Sequence, residues 1–296
     1  MEQSWKQAKA VFAGALAAPL VWLVAFFLIP LAIVWAYSFG HNEGLTQIAI
    51  TGTFKNYARA IEPLYLKIFL KSAGVAALTT GLCLVIGFPV ALAITFASQK
   101  AKAWLLLLIM LPFWTNLLIR TYALIAVLRN EGYINKSLEA VWNLAAKVVA
   151  LPSFQPLEMM HTNFAVIVGL VYVHLPFMVL PLYSALDRLD KSLLEASLDL
   201  GAGHLRTLFK VVVPLALPGI ASGVLITFIP ALGAYLTPDL LGGPDSQMIA
   251  NVIERQFKRA NDWPFGAALS FLLMYLTFMA IAVQALLGRA KKGAGA

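Results

Sequence analysis

Residues 195–214 read Glu195-Ala-Ser-Leu-Asp-Leu-Gly201-Ala-Gly-His-Leu-Arg-Thr-Leu-Phe-Lys-Val-Val-Val-Pro214. This polar stretch interrupts a chain otherwise built of long apolar runs. Ser192 stands three residues before Glu195, the spacing of a capping box, which predicts a helix starting at Ser192. Gly201 and Gly203 predict its end and a turn. A second short helix, His204–Lys210, then leads into the next apolar run. From the residues alone this is a helix-turn-helix. It is either a capped connector or a knob that fits a partner's groove and moves as a rigid lever.

The rest of the chain fixes the setting. Apolar residues make up 60% of the sequence and charged residues 12%, against roughly 45–50% and about 25% in soluble domains. Six runs suffice for a bilayer core of ~30 Å, which takes about 20 helical residues. They are Phe12–Phe39, Phe69–Phe96, Trp104–Leu128, Phe164–Leu186, Val211–Leu236 and Phe265–Leu287. Their apolar character is continuous rather than alternating, which favours helices over a barrel. The expected fold class is an all-α membrane protein of about six transmembrane helices. The first run is longer than a signal h-region of about 7–15 residues and is expected to be an uncleaved span.

Six spans place both termini on one side. Basic residues divide almost evenly between the two sides, but the segments on the terminal side are shorter, so their basic density is higher. By the positive-inside rule the termini are expected in the cytoplasm. The net charge of +8 is spread around apolar spans. It forms no block suited to a nucleic-acid groove, so no nucleic-acid partner is expected. The lipid bilayer is the expected surrounding.

The long third connection, Arg129–Asn163, carries Ile134, Leu138, Val141, Trp142, Ala145 and Val148 at helical spacing. An amphipathic helix is expected there, with Asn135 as its cap and Leu151-Pro152-Ser153 as its end. Prolines inside five of the runs predict kinks. Cys83 is the only cysteine and lies within the second run, where a small apolar filler is expected.

No catalytic constellation is visible. The four histidines are scattered, and no HExxH, paired-Cys or Gly-x-Ser-x-Gly pattern occurs. No metal site and no catalytic residue are expected. The chain has no Gly-x-x-x-x-Gly-Lys-Ser/Thr loop, so ATP is expected on another polypeptide. Arg120 is a charge well inside a span, costing roughly 2.5–3.5 kcal/mol on insertion scales, so it is expected to have a partner. A clamp onto helix-end carbonyls is the reading adopted, with a pathway role the alternative. Trp114, Asn116, Tyr122, Tyr172, His174 and Tyr235 place polar and aromatic groups in the spans, with Asp239 just beyond. Aromatic faces and a carboxylate at a pore mouth attract ammonium groups. They are candidate translocation-path residues, with ordinary interfacial belting as the plain alternative.

The 195–214 stretch resembles the EAA loop of ABC importer permeases, whose pattern is E-A-A, three residues, G, nine residues, I-x-L-P. Ser197, Val211 and Val213 depart from it without changing the spacing. Longer segments resemble the spermidine/putrescine permeases of the PotB/PotH type. These are Leu111–Tyr122, Asn130–Asn135, Leu170–Tyr183, Leu241–Ser246 and Asp262–Ala267. The resemblance implies a type I ABC importer permease fold in a bacterial inner membrane. It makes Glu195, Ala196, Ser197, Asp199, Gly201 and Ala202 the ATPase-coupling residues. It further implies a second homologous permease subunit, two ATPase subunits that bind ATP and Mg, and a periplasmic polyamine-binding protein. No cofactor is expected in this chain itself.

The corresponding organisation is a cytoplasmic N-terminus (1–11), one transmembrane permease domain (12–288) with its coupling loop at 187–210, and a cytoplasmic tail (289–296). The cargo expected is putrescine, spermidine or both. The alternatives are a permease of the same class for sulfate or iron, or a secondary transporter or channel. A membrane enzyme would need a carboxylate or His cluster that the sequence does not contain.

Overall fold

The computed structural model describes residues 9–44, 47–147 and 152–293. Val148 and Leu151, expected at the end of the amphipathic helix, lie outside the described residues. So do residues 1–8 of the expected N-terminal segment and 294–296 of the tail. The chain is dominantly helical, with one two-stranded ribbon among the described residues. It divides into two compact units, Met1–Leu66 with Val252–Ala296, and Lys67–Asn251.

In the first unit, α1 (Lys9–Leu23), a π-helical turn (Val24–Leu28) and α2 (Ile29–Tyr37) run on as one apolar rod. Pro30 follows the π turn by two residues. A proline lacks an N–H and crowds the carbonyl four residues back, and a widened turn relieves both problems. Strands β1 (Gly40–Glu43) and β2 (Gln47–Ile50) pair antiparallel, Gly40 opposite Ile50 and Glu43 opposite Gln47. Sequence patterning gave no sign of this short ribbon.

Helix α3 (Lys55–Ala60) follows, and its side chains fasten the unit. Asn56 donates to the carbonyls of Ser38 and Gly40, and the Ser38 and Tyr57 hydroxyls lie 2.8 Å apart. Burial, ahead of any other influence, pushes the Tyr57 phenol above its ordinary range. The Arg59 guanidinium meets the Asp262 carboxylate at 2.9 Å and stacks 3.9 Å from the Phe265 ring centroid. Asp262 also caps the last helix of the chain, accepting from the Phe265 N–H.

The second unit is built around three helices: α4 (Pro63–Phe96) from Lys67 onward, α8 (Asn163–Leu186) and α11 (Val213–Leu232). Ser72, Ala76, Thr79, Thr80, Cys83, Gly87, Ala91 and Ile94 form one buried face of α4 at three- and four-residue spacing. Cys83 is fully buried, its Sγ 3.7 Å from the Val171 carbonyl oxygen, and serves as the small filler its position predicts. Helices α8 and α11 approach closely because α11 offers glycines. A Cβ on Gly219 would lie 2.4 Å from the Ala185 Cβ, and one on Gly223 would lie 2.8 Å from the Met178 sulfur. Lipid tails are as apolar as leucine, so packing of this kind, not burial from water, holds membrane helices together.

Four described helices are long and apolar enough to cross a bilayer: Ala13–Tyr37, Pro63–Phe96, Asn163–Leu186 and His204–Leu232. The expected third run, Trp104–Leu128, is not one helix. Helix α5 (Gln99–Met110) passes into a 3₁₀ turn (Leu111–Trp114), and α6 (Leu117–Leu128) starts afresh. The stretches Gln99–Trp114 and Leu117–Ala146 meet at 98° and count together as a fifth candidate. Pro112 and two extended residues account for the break: Thr115 has ψ 145°, and Asn116, at ψ 141°, caps α6 through its side chain.

The amphipathic helix is present as α7 (Tyr133–Ala146). Its cap is not Asn135. That residue is buried one turn in, exchanging two hydrogen bonds with the Leu157 backbone at 3.0 and 2.9 Å. The last two long helices of the chain are α13 (Ile249–Lys258) and α14 (Trp263–Gly293). The sixth expected run lies in α14, whose apolar part is described over Trp263–Met279.

Candidate functional site

The polar stretch that opened the sequence reading folds as two helices: α9 (Lys191–Asp199) and the four-residue α10 (His204–Thr207). The start of α9 differs from the capping-box expectation. Asp190 is the cap, its carboxylate accepting the Ser192 N–H at 3.0 Å. Hydrogen bonds from the Ser192 backbone and side chain hold that carboxyl below the usual carboxylate range. Aspartate is as good a cap as serine, and it sits two residues earlier, so the signal was present in the sequence. The second helix is shorter than His204–Lys210. A π turn (Leu208–Val212) takes over and feeds directly into α11, again with a proline two residues on, Pro214.

The turn between the helices needs its glycine for backbone reasons. Gly201 has φ +79°, while nothing lies within 4 Å of where its Cβ would be. This left-handed conformation closes α9. The Gly201 N–H reaches the Leu198 carbonyl at 2.9 Å, and the Ala202 N–H reaches that of Ser197 at 3.1 Å.

The helix-turn-helix is fastened at its root and across its two helices. At its root the Lys102 ammonium lies 2.6 Å from the Asp187 carboxylate and 5.6 Å from the Tyr183 ring. That hydrogen bond holds the Asp187 carboxyl below its ordinary range. Between the two helices, the Ser197 and Thr207 hydroxyls meet at 2.9 Å. Sequence reasoning missed Lys102, Asp187 and Thr207 because each acts through a residue distant in the chain.

The tip is open. Glu195, Ala196, Asp199 and Gly201 are exposed, and Ser197 and Ala202 are partly covered. Leu200 is 89% exposed, with Leu205 and Phe209 also mostly exposed. On one side Leu92, Phe96, Leu194, Glu195, Leu198 and Leu205 line an apolar groove of about 550 Å³. On the other, Ala196, Ser197, Leu200, Ala202, Arg206 and Lys210 line a second depression of about 430 Å³. Exposed leucines on a capped, braced pair of helices form a surface that can dock into a complementary groove.

The expected path residues are more dispersed. Tyr235 precedes α12 (Leu236–Leu241), and Asp239 lies one turn into it, its N–H bonded to the Tyr235 carbonyl at 3.0 Å. Both side chains are exposed. The buried Asn251 braces this turn from beneath, donating to the Tyr235 carbonyl at 2.8 Å, a role nothing in the sequence indicated. Trp114 is exposed at the end of the 3₁₀ turn, Asn116 is occupied as the α6 cap, and Tyr122 and Tyr172 project from α6 and α8. No hydrogen bond joins these four to Tyr235 or Asp239 among the described residues. His174 is buried against the Leu170 carbonyl and is not on an open surface. The Arg120 Nε is buried without a hydrogen-bond partner among the described residues, so that atom makes no carbonyl clamp.

Residues 10–293 match the family described as binding-protein-dependent transport system inner membrane component. The chain is 42% identical over 252 residues to the spermidine/putrescine transport system permease protein PotB of Escherichia coli K12, covering 85% of this chain and 88% of that one. It is 40% identical over 262 residues to PotB of Haemophilus influenzae, covering 88% of each. In fold it is similar to a chain of a bacterial ABC transporter involved in import of the acidic polysaccharide alginate. The TM-score there is 0.71 at 16% identity, with 97% and 99% of the two chains covered.

Proposed function

We propose that this chain, which belongs to the binding-protein-dependent transport system inner membrane component family, is the permease subunit of an ATP-binding-cassette importer that moves putrescine, spermidine or both into the cytoplasm. The identity to polyamine permeases over most of both chains supports the cargo class. The coupling assignment rests on one observation: a capped, turn-locked helix pair whose apolar tip is open to a partner.

In this reading residues 187–210 face the cytoplasm, as do both termini. A separate ATPase seats the α9–Gly201–α10 knob and supplies the energy. Glu195, Ala196, Ser197, Asp199, Gly201 and Ala202 form the docking surface. A second, homologous permease completes the pathway, and a periplasmic binding protein delivers the polyamine. ATP shifts the transporter between inward- and outward-open states only by binding them differently, so a rigid link between ATPase and spans is required. The π turn that joins α10 to α11 provides a direct line from knob to span. Asp239 and Tyr235 are the proposed first contacts for the cationic cargo: a carboxylate attracts an ammonium, and an aromatic face adds to that attraction.

The test is uptake in liposomes carrying this chain, its sister permease and the ATPase, with binding protein supplied on the face opposite the ATPase. Labelled putrescine or spermidine should accumulate only with ATP and binding protein, and Glu195→Ala should abolish accumulation while the protein stays inserted. No polyamine uptake, with ATPase stimulation by a different binding protein, discards the cargo and keeps the permease. Failure to associate with any ATPase discards both.

A further inference from the structure

Resting on the coupling reading above, we infer that the Ser197–Thr207 hydroxyl pair is a positioning contact that makes α9 and the foot of α11 move as one body. Its two oxygens are 2.9 Å apart and join residues ten positions apart across the turn. Besides the backbone bonds of the turn and the packing of Leu194 and Leu208 on a shared apolar cluster, it is the side-chain hydrogen bond that joins α9 to α10. Helix α10 has only four residues and no side-chain cap on its first turn, and a helix this short has no stability of its own. No heavy atom packs within 4 Å of where a Gly201 Cβ would stand, so the turn is held by its backbone bonds alone. On the groove side Leu194, Leu198 and Leu205 line open space rather than a closed seam.

The pair is placed to carry load. Thr207 is 6% exposed and is the last residue before the π turn that runs into α11. Ser197 lies in the last turn of the exposed docking helix, and its carbonyl also accepts the Ala202 N–H that closes the turn. A displacement of α9 by a partner therefore reaches Thr207, and through it the span, instead of being absorbed in the loop. The family pattern that the stretch resembles has alanine where Ser197 stands, and alanine has no group to make this bond. Each hydroxyl satisfies the other in a partly covered place, so removing one leaves its partner unpaired.

The experiment measures polyamine taken up per ATP hydrolysed in the reconstituted complex. Thr207→Val and Ser197→Ala should each lower that ratio about three- to tenfold, the range that losing one hydrogen bond of this kind produces. In Thr207→Val, which lies outside the docking surface, ATPase association and insertion should not change. The double variant should be no worse than either single one, because both remove the same bond. Ser197→Thr and Thr207→Ser keep a hydroxyl at each site and should hold the ratio near that of the unmodified chain, separating loss of the bond from a folding defect. An unchanged ratio in Thr207→Val, or singles whose effects add in the double, overturns the positioning role while leaving the permease reading intact. An unmodified complex that binds no ATPase overturns the coupling reading and this role with it.

Discussion

Lys102 and Asp187 form an ion pair of 2.6 Å that joins the short second connection, just after α4, to the root of the helix-turn-helix after α8. Two connections that a six-span arrangement requires on one side are thus in direct contact. The pair also bears on pH. The Asp187 carboxyl is held below the ordinary value of 3.8. A depressed carboxyl stabilises fully above its unfolded value, and the contribution is lost as pH falls through the lower, folded value. Limited proteolysis between residues 187 and 210 should therefore be flat from about pH 8 to pH 5 and rise only below about pH 4. Asp187→Asn should show raised cleavage from about pH 8 to pH 5 and converge with the unmodified chain at low pH. A rise near pH 6 in the unmodified chain would contradict the assignment.

Gly201 tests the turn. Its φ of +79° costs a β-branched residue about 1–3 kcal/mol. Gly201→Val should remove ATP-driven uptake while leaving membrane insertion and detergent-solubilised yield intact. Gly201→Asn tolerates the left-handed region better and should keep part of the activity. Equal activity in the two variants would mean that the turn does not depend on this backbone state.

Gly219 and Gly223 test the packing of α8 on α11. A Cβ at either position would meet atoms at 2.4 and 2.8 Å. Gly219→Val should push the helices apart and destabilise by about 1–3 kcal/mol, the usual cost of overpacking. Thermal unfolding of the purified protein in detergent would register this as a lowered midpoint. Gly223→Ala should cost less, because its nearest neighbour is the flexible end of Met178. No change in midpoint for Gly219→Val would refute the close approach.

Asp239 tests the cargo's charge. Its side chain is exposed beside Tyr235, and one unit charge acting on an ammonium at a partly solvated site is worth on the order of 1 kcal/mol. Asp239→Asn should raise the apparent KM for polyamine uptake about fivefold, more at low salt than at high salt, with the maximal rate little changed. A salt-independent loss of rate instead would place Asp239 among structural residues.

Much of this protein was legible in the residues. The composition and the long apolar runs required membrane helices, because an unpaired backbone group in lipid has no water to turn to. The spacing from Glu195 to Gly201 determined a helix, a stop and a second helix. Cys83 was read correctly as filler from its position alone. These are local properties, set by each segment's own side chains and backbone.

What only the tertiary structure decided are the relationships between segments. The run Trp104–Leu128 reads as one helix by hydropathy, yet Pro112, Thr115 and Asn116 break it, since hydropathy ignores who donates to whom. Asn135 reads as a cap, but a distant loop offers it two backbone partners at once. Asp190 takes the cap from Ser192, the Lys102–Asp187 pair roots the loop, and Thr207 reaches Ser197. The sequence alone specified which elements form. Which side chains meet across them depended on where the folded backbone carries each one, because hydrogen bonds and close packing act only over a few ångströms of space, whatever the distance along the chain.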